Sequence, residues 1–485
     1  MRQSRLNRLS RPDAGPLILL LILAVSALLR IRDLDRTSLW YDEAVSWSQS
    51  SGTFGDLLSS VAADNYPPLH NIILWLIMPV FGDSESALRF PSALLGVLAV
   101  WLLFRAGTIL NGRSTGLLAA ALLAVSPFHI WYSTEARMYA LLAACGLAFL
   151  LCVLKVLEKP SPLWLTGLAA AGTLFLYSHI YALFGFAAVG LVCAAFAIGD
   201  LFRTGSLRGS RALNACLAMA VSAFAFLPWL IVLADRARSV AQTDFWIAFP
   251  DTAFLNALAF GLAGSLTLFW ILLALAAAGV LFCLFGSAGT SGQSRILKRL
   301  IAVCCAYTFG PATLAYLYSV LVQPILFDRY LIAAWPGLLL LAAAGAQKLA
   351  PKYGPVTVFA ATLALTYPEL EFTLFQKIRP EWREIVADYK QHMSPGDRLT
   401  LYKGFAAPAL AYYLREPANF DAVENIDELR RMKPSDGDWL LVVHCSRRET
   451  DEAVAAFGED EEATVSQRFG WGASGLKLMH WKTAR

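Results

Sequence analysis

Long stretches of this chain carry no charged side chain, and this feature constrains its fold more than any other. Residues 16–29 and 271–285 are two such stretches, whereas charged residues are dense near the C-terminal end. Only 16% of all residues are charged, compared with about 25% in soluble domains. Because hydrocarbon penalises each charge at the centre of a spanning helix by about 2.5–3.5 kcal/mol, this pattern predicts an α-helical polytopic membrane protein.

Apolar runs close to the length that a spanning helix requires occur eleven times. The predicted spans are 15–31, 87–109, 115–132, 138–155, 163–180, 182–199, 212–233, 264–286, 300–321, 330–347 and 355–371. The first run is followed by Arg30 and Arg32, and not by the small-residue cleavage site of a signal peptide. It is therefore predicted to remain in the protein as a span.

Lysine and arginine collect in alternate loops, and cytoplasmic loops carry an excess of these residues. The basic positions lie ahead of the first span and within 105–113, 155–159, 203–211, 295–299 and 348–352. This distribution predicts a cytoplasmic N-terminus and an extracytoplasmic C-terminal region. The compact loops favour a bacterial plasma (inner) membrane. The net charge of +4 is spread over loops, so no nucleic-acid partner is predicted.

The outward loop 32–86 contains a segment, 67–82, that is apolar but shorter than a spanning helix requires. Pro67 and Pro68 open it and Pro79 interrupts it. If this segment crossed the membrane, every later basic loop would move outside, so it is predicted to lie on or dip into the outer face. Whether it spans or only dips stays open at this point. The rest of the loop is acidic.

The composition changes abruptly after the last predicted span. Residues 376–485 predict a helix at 381–392, a turn at 394–397 and strands in 398–404 and 438–445. The sequence therefore predicts a membrane module at 1–375 and a small extracytoplasmic α/β domain at 376–485. The cysteines have no metal-ligand spacing and fall mostly in apolar runs. They are predicted to be small apolar fillers, and no metal or cofactor is predicted.

The residues that could carry chemistry form four clusters at predicted outer ends of spans. The first contains Tyr41 with the acidic pair Asp42 and Glu43, which could alternatively be the solvated first turn of a helix. The others are 126–139, 177–181 and 327–330. A mutual ion pair within 126–139, an aromatic belt around 177–181 and a headgroup anchor at 327–330 are the alternative interpretations.

The predicted topology places all four clusters on one side of the membrane, which strengthens a functional interpretation. A transporter would place its polar groups near the midplane on broken helices, whereas these spans are nearly free of charge. The sequence therefore favours an interfacial site supplied from the bilayer. An arginine there could stabilise a phosphate, and a carboxylate could remove a proton from an attacking hydroxyl.

The ordered motifs resemble those of a known family. They run from the Asp42–Glu43 pair through 66–70, 81–85, 87–93, 126–139 and 177–179 to 329–331. The set is similar to the GT-C glycosyltransferases, in particular the bacterial relatives of the protein O-mannosyltransferases and aminoarabinose transferases (the family 39-like group). The resemblance covers roughly residues 15–345 and extends more loosely to Trp382 and Arg383 in the tail.

The resemblance implies a GT-C fold and transfer of a sugar from a polyprenyl-phosphate carrier to an extracytoplasmic glycan, lipid or protein. Asp42 takes the role of general base, and Glu43 orients it or holds the acceptor. The aminoarabinose transferases have a lysine where this chain has Tyr66, so their donor contact and lipid A specificity are not carried over. Their zinc site is not carried over either, and the need for a divalent metal is unknown.

The residues predicted to bind substrate share a position near the outer surface. They are Tyr41, Tyr66, His70, His129, Tyr132, Glu135, Arg137, Tyr139, His179, Tyr181, Arg329 and Tyr330. The leading hypothesis is an inverting hexosyl- or pentosyltransferase. A transporter or flippase of lipid-linked sugars, and a polymerase or ligase of whole glycans, stay open as alternatives.

Overall fold

The computed structural model describes residues 14–64, 66–240, 247–285, 291–376, 379–415, 420–432, 437–458, 463–468 and 475–481. These residues form two compact units. The first unit contains the described residues within Met1–Arg32, Leu58–His70 and Arg89–Leu374. The second contains those within Asp33–Leu57, Asn71–Leu88 and Phe375–Arg485. The predicted domain boundary at residue 375 stays a prediction.

The described residues up to 375 are organised into helices and their connections. In chain order its helices are α1 (Gly15–Ile31), α2 (Tyr41–Ser50), α3 (Phe54–Ala62), α4 (Leu69–Phe81), α5 (Glu85–Asn111), α6 (Arg113–Ala124), α7 (Pro127–Ser133), α8 (Tyr139–Glu158), α9 (Pro162–Ser178), α10 (Ala182–Thr204), α11 (Arg211–Val240), α12 (Thr252–Ala263), α13 (Leu266–Phe285), α14 (Ser291–Leu321), α15 (Trp335–Leu349) and α16 (Gly354–Phe375). A 3-10 turn, Asp328–Leu331, precedes α15.

The prediction of a polytopic helical membrane protein is confirmed. Six helices within the described ranges are long and apolar enough to cross a membrane, or seven if α6 and α7 form one broken span. Helices α1, α4, α9 and α12 are apolar but shorter. The count of eleven spans stays a prediction. Helix α4 has 13 residues, about 20 Å at 1.5 Å per residue, which is less than the roughly 30 Å of a bilayer core.

The predicted span 115–132 is broken into α6 and α7, whose axes differ by 64°. Pro127 opens α7, and the Ser126 hydroxyl accepts a hydrogen bond from the His129 amide at 3.4 Å. The buried Arg30 side chain from α1 donates to the carbonyls of Leu123 (3.1 Å) and Ala124 (3.0 Å). A helix end leaves its last carbonyls without partners in the regular helical pattern. Arg30 supplies a donor to two of them at this break, and the Leu123 carbonyl also accepts from the Ser126 amide at 3.3 Å.

Helices α13 and α15 approach each other through glycines. A Cβ atom on Gly345 would lie 1.9 Å from the Leu275 carbonyl oxygen, and one on Gly279 would lie 2.8 Å from the Gly345 nitrogen. Small residues allow such close backbone contact between membrane helices, where packing replaces the hydrophobic effect as the driving force. The sequence Ala-Ala-Gly-Ala around Gly345 therefore fixes how these two helices pack.

Gly345→Ala is expected to lower the free energy of unfolding by about 1–3 kcal/mol, because backbone atoms cannot move aside as a side chain can. Thermal unfolding of the purified protein in detergent measures this change. Gly199→Ala in α10 is the matched control, since its Cβ atom would meet nothing within 4 Å. Equal unfolding temperatures for the two variants would contradict the close approach of α13 and α15.

The C-terminal part of the second unit is the small α/β fold that the sequence predicts. Its helices are α17 (Trp382–His392), α18 (Ala407–Leu414), α19 (Ile426–Arg431) and α20 (Arg447–Phe457), and its strands are β1 (Leu399–Tyr402), β2 (Phe420–Val423), β3 (Trp439–Val443), β4 (Ala463–Arg468) and β5 (Leu476–Trp481). The strand order is β2-β1-β3-β5-β4. The first three strands are parallel, and β5 pairs antiparallel with both β3 and β4.

The central strand β3 is buried on both faces, as its continuous apolar sequence predicts. Leu441 and Val443 pack on one side with Trp382 and Leu410, which come from α17 and α18. Leu440 and Val442 belong to a separate core on the other side, which includes residues of α19 and α20. Alternation along the strand therefore supplies two hydrophobic cores from one five-residue element.

Segments 33–57 and 71–88 of the outward loop also belong to the second unit, which the sequence did not indicate. The Trp47 ring packs edge-on against Tyr412 of α18 at 5.1 Å. The Tyr413 hydroxyl donates to Glu85 at 2.8 Å, and Arg383 donates to the same carboxylate at 2.7 Å. These contacts connect the loop to the C-terminal α/β fold through both packing and charge.

Candidate functional site

A group of buried and half-buried aromatic and basic residues lies in the first unit, and we call it the tyrosine–arginine cluster. Its members are Tyr66, Arg137, Tyr139, His179, Tyr181, Arg329 and Tyr330. They come from the stretch before α4, the α7–α8 connection, the end of α9 and the 3-10 turn. The sequence predicted all seven as substrate-binding residues, and the structure brings them together.

The two arginines of the cluster lie over tyrosine rings. The guanidinium carbon of Arg137 is 5.5 Å from the centre of the Tyr66 ring. That of Arg329 is 5.7 Å from the Tyr139 ring and 5.6 Å from the Tyr330 ring. Cation–π contacts of this kind attract a guanidinium to the face of an aromatic ring and so help to fix its position. The cluster therefore combines two positive charges with fixed aromatic walls.

His179 occupies the centre of the aromatic walls. Its ring centroid lies 5.1 Å from that of Tyr66 and 5.0 Å from that of Tyr330. Its Nδ1 atom accepts a hydrogen bond from the Tyr181 amide at 3.1 Å, so the proton of the neutral ring lies on Nε2. Nε2 is buried and has no hydrogen-bond partner among the described residues. It is therefore a donor that remains available for a ligand.

Hydrogen bonds of the tyrosine hydroxyls fix the aromatic walls. The Tyr66 and Tyr330 hydroxyls share a hydrogen bond of 3.0 Å, and the Tyr181 hydroxyl donates to the carbonyl of Ile325. Burial, reinforced by Tyr330 and Tyr139, holds the pKa of the Tyr66 phenol well above its ordinary value. The phenol therefore stays protonated at neutral pH. Two guanidinium groups, phenols and an imidazole N–H suit an anion with several oxygen atoms.

The remaining predicted residues of the first unit have varied surroundings. Arg30 donates to His129 Nδ1 at 3.0 Å, next to the break between α6 and α7. Tyr132 packs edge-on against Tyr139 at 5.0 Å. Glu135 and His70 are buried, with 1% and 2% of their surface exposed. The structure thus places Tyr132 against the tyrosine–arginine cluster, whereas His129 contacts Arg30.

Asp42 and Glu43 lie in the first turn of α2, in the second unit. Glu43 is fully buried, and its carboxylate accepts a hydrogen bond from the Trp40 amide at 3.2 Å. Asp42 is partly exposed. The neighbouring Tyr41 ring packs edge-on against Phe405 at 5.3 Å. Glu43 therefore stabilises the start of the helix, which leaves Asp42 as the more accessible carboxylate of the pair.

Arg30 is the residue of interest that the sequence reasoning missed. Its position at the end of the first apolar run predicts a flanking residue of the span, yet only 1% of its surface is exposed. Its partners are Ser26, Leu123, Ala124 and His129. The available signal was the position of Ser26 one helical turn earlier, which places a hydroxyl beside the guanidinium. The partners Leu123 and Ala124 lie 93 and 94 positions away in the sequence, so the residues around Arg30 do not indicate them.

No group of three or more His, Cys, Asp or Glu side chains with the geometry of a metal site occurs within the ranges that the structure describes. The guanidinium groups of the tyrosine–arginine cluster have no lone pair to offer to a metal ion.

Comparisons with known proteins agree with this architecture. The chain aligns with ArnT from Cupriavidus metallidurans in its apo state at a TM-score of 0.63 and 15% identity, covering 96% of this chain and 98% of that one. The same protein bound to undecaprenyl phosphate gives a TM-score of 0.62. The chain has the GT-C glycosyltransferase fold. The sequence-based recognition of that fold is confirmed.

A second solved structure with this fold is the oligosaccharyltransferase of Archaeoglobus fulgidus in complex with zinc and sulfate. It aligns at a TM-score of 0.52 and 15% identity, covering 95% of this chain and 72% of that one. The family model of dolichyl-phosphate-mannose-protein mannosyltransferases matches residues 65–232, which include Tyr66, Arg137 and His179. No curated protein matches the chain in a sequence search.

Proposed function

We propose that this protein transfers a sugar from a polyprenyl-phosphate carrier to an acceptor outside the cytoplasm. The observation that carries the proposal is the tyrosine–arginine cluster, where Arg137 and Arg329 lie over tyrosine rings beside the available N–H of His179. The GT-C fold supports it, as does the fact that a protein with the same fold binds undecaprenyl phosphate. In this proposal the cluster binds the phosphate of the donor.

Departure of the carrier phosphate requires positive charge. The donor is a phosphodiester with one negative charge, and the leaving polyprenyl phosphate carries about −1.5 to −2 at neutral pH. Charge therefore increases on the phosphate oxygens as the bond to the sugar breaks, and preorganised cations stabilise that increase. Arg137 and Arg329 supply the cations. The Tyr66 phenol and His179 Nε2 donate hydrogen bonds to the same oxygens.

The acceptor attacks the anomeric carbon in a single displacement. Its hydroxyl oxygen forms the new C–O bond while the bond to the phosphate oxygen breaks, which inverts the anomeric centre. Asp42 receives the proton of the hydroxyl as general base. Glu43 holds the start of α2 and thereby orients Asp42. The sugar is a hexose or a pentose, and the acceptor is a glycan, a lipid or a protein of the cell envelope.

The location follows from the same proposal. We place the N-terminus in the cytoplasm and the C-terminal α/β fold outside a bacterial plasma membrane, on the strength of the basic residues in alternate loops. A polyprenyl tail is as apolar as the bilayer, and the exposed leucines and phenylalanines of the spanning helices offer it a lipid-facing surface.

Label transfer from a panel of radiolabelled polyprenyl-phosphate monosaccharides tests the function. Membranes that contain the wild-type protein should move label from one donor to an acceptor, and Asp42→Asn should lower that rate by about 10²–10⁴-fold. Asp56→Asn is the matched control, because it removes a charge from the same loop and an asparagine can keep the hydrogen bonds to Thr53.

Each outcome of this experiment has a distinct meaning. Loss of transfer with Asp42→Asn but not with Asp56→Asn supports both the function and the base. Equal transfer by wild type and Asp42→Asn would assign the base to another residue. Absence of transfer from every donor would overturn the transferase and favour transport of a lipid-linked sugar.

A further inference from the structure

A cleft of about 310 Å³ lies in the second unit, beside the helix that the outward loop contributes, and we call it the α4 cleft. Its lining residues come from the end of α2, from α4 and from the turn that follows. They are Ser50, Ser51, Gly52, Trp75, Met78, Pro79, Gly82 and Asp83. A volume near the lower end of the 300–1,000 Å³ typical of ligand pockets suits a small ligand. Neither the fold nor the proposed mechanism uses this cleft.

One wall of the α4 cleft is apolar and rigid. Trp75, Met78 and Pro79 lie three and four residues apart, so they share one face of the helix. The Trp75 indole N–H donates to the Gly52 carbonyl at 3.1 Å, and its ring packs against Phe54 at 5.4 Å. These contacts fix the orientation of the Trp75 ring, which lines the cleft and needs no ordering when a ligand binds.

The other wall is polar and consists mainly of acceptors. The Ser50 and Ser51 hydroxyls donate to the carbonyls of Ser46 and Trp47, each at 2.7 Å, so their oxygens remain acceptors. On Asp83 one carboxylate oxygen, Oδ2, accepts hydrogen bonds from the Trp47 indole at 2.8 Å and from Arg415. No donor among the described residues reaches the other oxygen, Oδ1. A ligand in the cleft therefore needs to donate hydrogen bonds.

This chemistry distinguishes between classes of ligand. A phosphate or carboxylate would meet acceptors and a carboxylate of its own sign. A cation would compete with Arg415, which already neutralises Asp83. An acyl chain would leave the Asp83 and serine oxygens without hydrogen bonds, which costs free energy. A sugar has hydroxyl groups that donate and a face of C–H groups that packs on an aromatic ring, so it matches both walls.

We propose that the α4 cleft binds a sugar ring, and that this ring belongs to the acceptor of the transfer reaction. The first statement rests on the cleft alone. The second rests also on the proposed function, and it specifies the acceptor as a glycan or glycolipid rather than an unglycosylated protein. The cleft binds part of the acceptor beyond the hydroxyl that reacts.

Saturation-transfer NMR tests binding on the full chain in lipid nanodiscs. The probes are the methyl glycosides of glucose, galactose, mannose, arabinose and N-acetylglucosamine. The wild-type protein should transfer saturation to at least one of them. Ser51→Leu and Met78→Trp, which fill the cleft from α2 and from α4, should weaken that binding by at least about tenfold. Ser60→Leu is the matched control, since Ser60 is exposed on α3 outside the cleft lining.

The sugar site and the proposed function can fail independently, and the outcomes tell the two failures apart. Lack of saturation of every glycoside by wild type, or unchanged binding by both cleft variants, would overturn the sugar site. In the label-transfer assay, the same variants should raise the acceptor KM about tenfold with an unchanged kcat. An unchanged acceptor KM together with lost glycoside binding would overturn the link to the acceptor. Absence of transfer by wild type would instead refute the transferase, and the NMR result would still decide the cleft.

Discussion

Arg329→Ala is expected to lower the rate of sugar transfer by about 10²–10³-fold, the loss typical when one preorganised donor to a developing anion is removed. The guanidinium of Arg329 lies over the Tyr139 and Tyr330 rings, so its position is fixed before the donor binds. Arg137→Ala should produce a loss of similar size from the other side of the cluster. The measurement is kcat in the label-transfer assay with the donor at saturation.

Substitution by lysine refines this prediction. Lysine keeps the charge but loses the planar fork that can bind two phosphate oxygens, so Arg329→Lys should recover only part of the rate.

Arg105→Ala is the matched control, because the Arg105 guanidinium also stacks on an aromatic ring, that of Trp101, at 5.3 Å. The transfer rate of Arg105→Ala should stay within about twofold of wild type, since Arg105 is half-buried and lies outside the tyrosine–arginine cluster. If Arg105→Ala and Arg329→Ala lost the same activity, the phosphate assignment would be wrong.

Arg30→Met is expected to lower the free energy of unfolding by about 1–3 kcal/mol, the cost of leaving a buried hydrogen-bond acceptor without its donor. Methionine has nearly the length of the arginine stem, so the main change is the loss of donors to Leu123, Ala124 and His129. The Ala124 carbonyl would then lose its side-chain donor, whereas the Leu123 carbonyl keeps the Ser126 amide and His129 Nδ1 keeps the Ser133 hydroxyl. Thermal unfolding in detergent measures the loss, and transfer activity should fall with it because Arg137 follows the same helix break.

Arg32→Met provides the control for this substitution. Arg32 is two residues further along and is exposed, so its replacement should change the unfolding free energy by less than about 0.5 kcal/mol, as for most surface positions. If Arg30→Met were as stable as Arg32→Met, the break between α6 and α7 would not depend on the arginine, and Pro127 alone would explain it.

The helices were predictable because their apolar runs end where charge or proline begins. The predicted span 15–31 coincides with α1. The predicted spans 87–109 and 163–180 begin and end within two residues of α5 and α9. The predicted span 355–371 begins one residue after α16 begins and ends four residues before α16 ends. The break between α6 and α7 was not predictable from Pro127, since proline at the first turn of a helix and proline within one give the same local pattern. Helix α12 was also missed.

The candidate site, like the helices, has a part that the sequence predicts and a part that it does not. Basic residues in alternate loops placed 126–139, 177–181 and 327–330 at one surface, and the structure assembles the tyrosine–arginine cluster from these three segments and Tyr66. Contacts between residues that lie far apart in the sequence could not be predicted from it. Neither the hydrogen bond between Arg30 and His129 nor the burial of Glu43 could be inferred from local composition. The roles of Asp42 and of the cluster residues stay predictions.

The order of synthesis gives the loop contacts a further meaning. Ser38 donates to Glu384 across 346 positions of the chain, and a ribosome that adds about 5–20 residues per second needs about 20–70 s to make that stretch. During this interval the segment that contains Asp42 has none of its α17 and α18 partners. Helix α2 therefore acquires its final surroundings only after every spanning helix has been synthesised, so the environment of Asp42 is completed late in biogenesis.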